Sequence, residues 1–132
     1  MIYTICYLSS ANYTLNIQDL ENIFKITLKN NIQNSISGIL IYAEGNFLQV
    51  LEGEELALKA LFQKIKSDKR HHNLITLLSK KNKDRIFESY QSGFSIVAKK
   101  ADMKSLKNYL KFLNDNMLDA NHLISLLKPF FN

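Results

Sequence analysis

Apolar residues change period several times along the chain, and each change marks an element. "IYTICYLS" (2–9) alternates weakly and is rich in β-branched and aromatic side chains, which predicts a strand. From residue 17 to about 30, Leu20, Ile23, Phe24 and Leu28, with the half-apolar Thr27, fall three or four apart, the period of one helix face. Asn16 stands where an N-cap belongs, with Asp19 three residues on in a variant of the capping box; "KNN" offers a cation and an asparagine tolerant of left-handed backbone at the far end. "ISGILIY" and "FLQVLE" return to strand patterning on either side of "AEGN", a hairpin turn with its glycine and asparagine. A second helix is predicted from Glu54 to about Lys66, its stripe being Leu58, Leu61, Phe62 and Ile65, with acids at its start and Lys64 and Lys66 at its end. "NLITLLSK" and "RIFESYQSGFSIV" supply the last strands.

The order β-α-β-β-α-β with one further strand is the split βαβ arrangement. It predicts an α+β, ferredoxin-like fold: an antiparallel sheet with two helices on one face. The other face is left bare. The tail answers that need, since Met103, Leu106, Tyr109, Leu110 and Leu113 repeat at helical spacing and "LISLL" adds a second apolar turn before Pro129. Two C-terminal helices are therefore expected, covering the open face or a partner.

Composition narrows the class. With 132 residues and 46% apolar content the chain can build a real core. Its apolar runs fall well short of the ~20 residues a membrane-spanning helix needs, and "MIYTICYLSS" has neither a basic lead nor a small-residue cleavage site, so a cytoplasmic protein is expected. Cys6 is the sole cysteine, which excludes an internal disulfide and a multi-cysteine zinc site and leaves packing as its role. The net charge of +5 lies largely in "KSDKRHH", "SKKNKDR" and "AKKADMK", which Asp68, Asp84 and Asp102 interrupt, the pattern of a solvated face. His71 and His72 are neighbours, so on a strand they point to opposite faces and share no metal site.

One residue breaks the apolar pattern. Gln49 sits between Leu48 and Val50 in "FLQVLE", and an amide buried without partners costs about 1–3 kcal/mol. Alternation places Tyr3, Ile5 and Tyr7 on one face of the first strand and Phe47, Gln49 and Leu51 on one face of the third. If those strands are adjacent, Tyr7 and Gln49 meet, with Asn31 at the helix end above them and Ile23 and Ile65 as walls. Such a cluster either satisfies itself or receives a flat, polar-edged ring.

These residues resemble a family. "NNIQNSISGILIYAEGNFLQVLEG" is similar to the signature of the BLUF domains, blue-light sensors that use flavin; "YTICYLS", "SDKRHH" and "RIFESYQSGF" resemble its flanking segments in the right order. The resemblance covers about the first 97 residues and implies a flavin-binding core over 1–97 with a helical extension over 98–132. It implies that Tyr7 is the photochemical tyrosine and that Gln49 bridges it to the flavin. Asn31 then meets the polar edge of the ring, Ile23 and Ile65 lie on its faces, and Thr27 places a hydroxyl near the glutamine. Lys64, Asp68 and Arg70 fall where the ribityl chain and phosphates run. The implied cofactor is FAD, held without a covalent link, with FMN or riboflavin as substitutes. In the implied mechanism an electron and then a proton leave Tyr7 through Gln49, both return, and the altered amide shifts flavin absorption to the red. The family's tryptophan and methionine, thought to relay the change, read here as Tyr90 and Ser92 of the last strand, and Ser92 is expected to hydrogen-bond Gln49 in one of the two states.

By the same resemblance the chain is expected to be a short stand-alone sensor rather than an enzyme, passing its signal to another protein and self-associating. Two other functions share the topology. RNA-recognition modules need exposed strand aromatics beside a Lys/Arg-Gly-Phe/Tyr-Gly/Ala-Phe run, which neither "YTICYLS" nor "FLQVLE" carries. Acylphosphatase-like hydrolases need an arginine in a phosphate-cradling loop, and no glycine loop here holds one.

Overall fold

The computed structural model describes residues 2–116 and 121–131. The chain forms two compact units, Met1–Ile96 and Val97–Asn132. The first contains β1 (Ile2–Ala11), α1 (Ile17–Gln33), β2 (Ser37–Ala43), β3 (Asn46–Gly53), α2 (Glu55–Lys66) and β4 (His71–Asn82), and its last strand is β5 (Phe94–Val97). The sheet order is β4-β1-β3-β2-β5, and the β1–β3, β1–β4 and β2–β3 ladders are antiparallel. The ferredoxin-like α+β arrangement is thus as expected. Leu20, Ile23, Phe24 and Leu28 of α1 and Leu58, Leu61, Phe62 and Ile65 of α2 pack on the same sheet face as Ile5, Tyr7, Phe47 and Leu51.

Local chemistry explains the boundaries. Asn16 caps α1 through its side chain to the Asp19 N–H at 2.8 Å, and the Asp19 carboxylate accepts the Asn16 N–H at 3.0 Å, a complete capping box. The helix does not stop at "KNN", as its polar composition suggests: it runs on to Gln33, and the left-handed turn into β2 falls on Ser35, with φ of 58°. That extension carries Asn31 inside the helix, buried. The β2–β3 hairpin closes through Glu44 and Gly45, with φ of 51° and 79°, the left-handed pair that a two-residue turn matched to strand twist demands.

The last strand is much shorter than its sequence pattern predicts. Residues 83–93 form a loop, so Tyr90 and Ser92 precede β5 instead of lying on it. Gln91 and Gly93 both take left-handed backbone, at 56° and 96°, and the Tyr90 and Gly93 N–H groups turn back onto the carbonyls of Phe87 and Tyr90. An apolar-polar alternation cannot reveal such a break, because it is the backbone that departs from the extended path.

In the second unit α3 (Lys100–Asn116) carries Leu106, Leu110 and Leu113 as its buried positions, and α4 (Asn121–Leu127) carries Leu123, Ile124 and Leu127 before a short 3-10 turn, Lys128–Phe131. No helix among the described residues is long and apolar enough to cross a membrane.

Cys6 is fully buried on the sheet face away from α1 and α2, and burial pushes its thiol up to about 12. Alkylation of native protein at pH 8 should run about a thousandfold slower than after unfolding, because only the thiolate reacts. Equal rates in the native and unfolded protein would show that the thiol is accessible.

Candidate functional site

β1 and β3 bring two polar side chains together inside the core. Tyr7 lies directly opposite Gln49 in the ladder, both are 4% exposed, and the Gln49 Nε2 donates to the Tyr7 hydroxyl at 2.5 Å. The other end of the amide, Oε1, is buried with no hydrogen-bond partner among the described residues. A phenol hydroxyl both donates and accepts, so the amide can equally stand turned about. Tyr7 could then donate to Oε1, and the NH₂ would be the orphan. In either orientation one protein group serves an amide that has two polar ends.

That unfilled end belongs to a cavity of about 220 Å³. Ile23, Thr27 and Asn31 of α1 line it, four residues apart and so stacked on one helix face. Lys64 and Ile65 line it from α2, and Asp68 and Arg70 from the turn that follows. Every residue that the sequence marked as cofactor-binding therefore faces one space. Tyr90 and Ser92 do not. Tyr90 is buried against Phe87, with ring centroids 6.5 Å apart, while Ser92 is exposed in its turn and makes no bond to Gln49. The expected Ser92–Gln49 contact is absent from this state because the turn at Gln91–Gly93 stands before the strand begins.

The sequence reading missed several walls. Ile26, Asn30, Leu40, Phe47, Leu61 and His71 also line the cavity. Leu40 pairs directly with Gln49 across β2–β3, and Phe47 shares the Gln49 face, so strand alternation was enough to find Phe47. His71, weighed only as a metal ligand, is a structural bridge. Its Nε2 lies 2.6 Å from the Ile65 carbonyl and its Nδ1 2.7 Å from the Ser9 hydroxyl. A carbonyl only accepts, so Nε2 donates to Ile65, while Nδ1 meets the Ser9 hydroxyl, a group that can donate or accept. Among the described residues no cluster of His, Cys, Asp and Glu could hold a metal ion.

Electrostatics divide the cavity into a neutral interior and a charged mouth. Burial, opposed by the Gln49 hydrogen bond, pushes the Tyr7 phenol above its ordinary range, so it stays protonated. At the mouth Arg70 grips Asp68, 2.5 Å at the closest, and this hydrogen bond holds the Asp68 carboxyl below its usual range. Lys64 has no ion pair among the described residues. An anionic tail leaving the cavity would find Lys64 at once and would share Arg70 with Asp68.

The free end of the amide leaves room for one hydrogen-bonding group of a ligand in this cavity. Residues 2–93 match the profile of the BLUF family, sensors of blue light using FAD. The chain belongs to this family. The BLUF domain of Klebsiella pneumoniae BlrP1 superimposes with a TM-score of 0.77 at 28% identity, over 99% of this chain and 90% of that one. BlrP1 solved with FMN and cyclic diGMP matches at 29% identity and a TM-score of 0.73, over 96% of this chain and 34% of that one. Photoactivated adenylate cyclase subunit alpha of Euglena gracilis is 33% identical over 88 residues, 67% of this chain and 9% of that protein. The blue light- and temperature-regulated antirepressor BluF of Escherichia coli is 32% identical over 78 residues, 59% of this chain and 19% of that protein. This chain thus spans less than a fifth of either curated relative, and it corresponds to the non-catalytic sensory module of the BLUF proteins rather than to a cyclase domain.

The fold also removes the footing of an RNA-recognition reading. Tyr3 and Tyr7 face the helices, and the opposite face of the central strands carries Thr4, Cys6 and Leu8 beside Leu48, Val50 and Glu52. No aromatic platform is displayed there for bases to stack on.

Proposed function

We propose that Tyr7 and Gln49 are the photoactive pair of this BLUF sensor and that the cavity between α1 and α2 is its flavin site. The observation that carries this is the buried amide of Gln49, bonded to Tyr7 at one end and to no described residue at the other. Ile23 and Ile65 supply apolar walls for a ring, and Asn31 supplies a second buried amide for its polar edge. Thr27 adds a hydroxyl on the α1 wall. Lys64, Asp68 and Arg70 serve the ribityl and phosphate tail of FAD; FMN and riboflavin carry the same ring and fit the same walls.

The bound flavin supplies blue absorption and, when excited, an acceptor for an electron and a proton. The chain supplies the rest. Tyr7, protonated and buried, gives up its electron with its proton; with the amide turned so that Oε1 faces the hydroxyl it already touches, Gln49 is the group that accepts the hydrogen bond of that proton. Gln49 presents oxygen at one end and nitrogen at the other, so rotation or tautomerisation reverses its donors and acceptors without changing its shape. That reversal survives when Tyr7 regains its proton and electron. In this reading 1–97 is the sensing core and 98–132 an extension for output. The signal passes to a separate protein in the cytoplasm, and copies of the chain associate.

Protein purified in darkness should be yellow, release FAD on denaturation, and shift its long-wavelength band to the red under blue light, returning in the dark. Colourless protein that takes up no flavin, or flavin-loaded protein with identical dark and lit spectra, would overturn the assignment.

A further inference from the structure

Glu52 is a fully buried carboxylate that the photochemistry does not use. It lies on β3 three residues beyond Gln49 and on the opposite face of the sheet. Its Oε2 accepts the Ile86 N–H at 2.6 Å, and its Oε1 accepts the Phe87 N–H at 3.0 Å and the Ser37 hydroxyl at 2.9 Å. Arg85 completes the knot: its Nη1 donates to the Ser35 carbonyl at 2.7 Å, the Ser37 hydroxyl at 3.1 Å and the Glu52 carbonyl at 3.2 Å. The far end of the same loop is held where the Gly38 N–H donates to the Gly93 carbonyl at 2.9 Å.

A buried carboxylate is retained only where charge-assisted hydrogen bonds offset the loss of water. Here those bonds clamp the loop that carries Tyr90 and Ser92 to the strand that carries Gln49. We infer that Glu52 is a positioning residue, the coupling through which β3 holds the 83–93 loop, so that rearrangement of Gln49 reaches Tyr90 through the strand and this carboxylate instead of through Ser92. The inference rests on Gln49 being the photoactive amide. It accounts for output in a chain whose serine at the relay position points into solvent.

Hydrogen exchange followed by mass spectrometry on flavin-loaded protein, dark and under continuous light, tests the coupling. Wild type should show a light-dependent exchange difference over 86–93. Glu52→Gln places an NH₂ against one of the two backbone N–H groups, of Ile86 or of Phe87, and removes the charge that strengthens both bonds; it should keep the red shift, since Gln49 faces the other way, while dark exchange of the loop rises roughly tenfold or more and the light-dependent difference disappears. Should Glu52→Gln fail to fold, Arg85→Gln removes the second half of the knot and should shrink the difference severalfold with the red shift intact. A light-dependent difference of wild-type size in either variant, or none in a wild type that does shift its spectrum, would overturn the coupling. A wild type without any red shift would reject the sensor assignment instead; unchanged dark exchange of 86–93 in the variants would then still reject the clamp.

Discussion

Tyr7→Phe should leave a yellow protein that no longer shifts its spectrum under light. The ring survives the change, so its packing on Phe62, 5.6 Å between centroids, keeps the core filled and the cavity wall in place. What is lost is the hydroxyl that holds Gln49, and with it the oxidisable phenol and its proton. The amide then loses its one partner among the described residues, which should cost about 1–3 kcal/mol in the flavin-free state. Light-minus-dark spectra check the first part and denaturant unfolding the second. Tyr90→Phe is the matched control. Tyr90 packs on Phe87 outside the cavity, so that variant should retain the red shift. Persistence of the wild-type shift in Tyr7→Phe would contradict the role given to Tyr7. The raised phenol also fixes a pH dependence. Because the folded group ionises later than the ordinary range near 10, the unfolded chain releases its proton first. Stability from this residue is therefore whole below about pH 10 and declines as pH climbs beyond it.

The same pair shows what a sequence can disclose. Period-2 alternation, with β1 and β3 adjacent, was enough to put Tyr7 opposite Gln49, and helical spacing was enough to stack Ile23, Thr27 and Asn31 on one wall. Both inferences need only local geometry and one strand pairing. The loop at 83–93 could not be found that way. Its residues Ile86, Phe87 and Tyr90 are of strand-favouring type, yet the N–H groups of Ile86 and Phe87 go to a carboxylate 34 and 35 residues back along the chain. Glu52 itself reads as the ordinary polar end of a strand until those partners arrive. The bridging role of His71 was illegible for a similar reason: its two nitrogens are used by Ser9 and Ile65, groups from different elements that no spacing rule joins. What sequence periodicity misses is thus the polar connection between distant segments, which in this molecule includes the candidate route from sensor to output.

Gly38→Ala should unfold the sensor or bring it close to unfolding, and Gly45→Ala explains why the two glycines differ. Both have positive φ, 141° and 79°, so both substitutions force an L side chain into backbone it disfavours. At Gly45 a Cβ meets nothing within 4 Å, and the cost should be that preference alone, about 1–2 kcal/mol. At Gly38 the Cβ would lie 1.9 Å from the Val50 carbonyl oxygen and 2.8 Å from its carbon, backbone atoms that cannot rotate aside. β2 must then separate from β3 at the point where Gly38 faces Leu51, two strand positions from the Leu40–Gln49 pair. A loss of about 4 kcal/mol or more is expected, against the 5–15 kcal/mol that holds a typical domain together. Melting should fall by roughly 15 °C or more at the 4–8 °C per kcal/mol usual for units of this size. Flavin retention should fall with it, because Gln49, the amide proposed to meet the ring, stands on β3. Equal melting temperatures for the two variants would show that β2 and β3 have room to part, and that crowding at Val50 does not set the register on which the Tyr7–Gln49 pair depends.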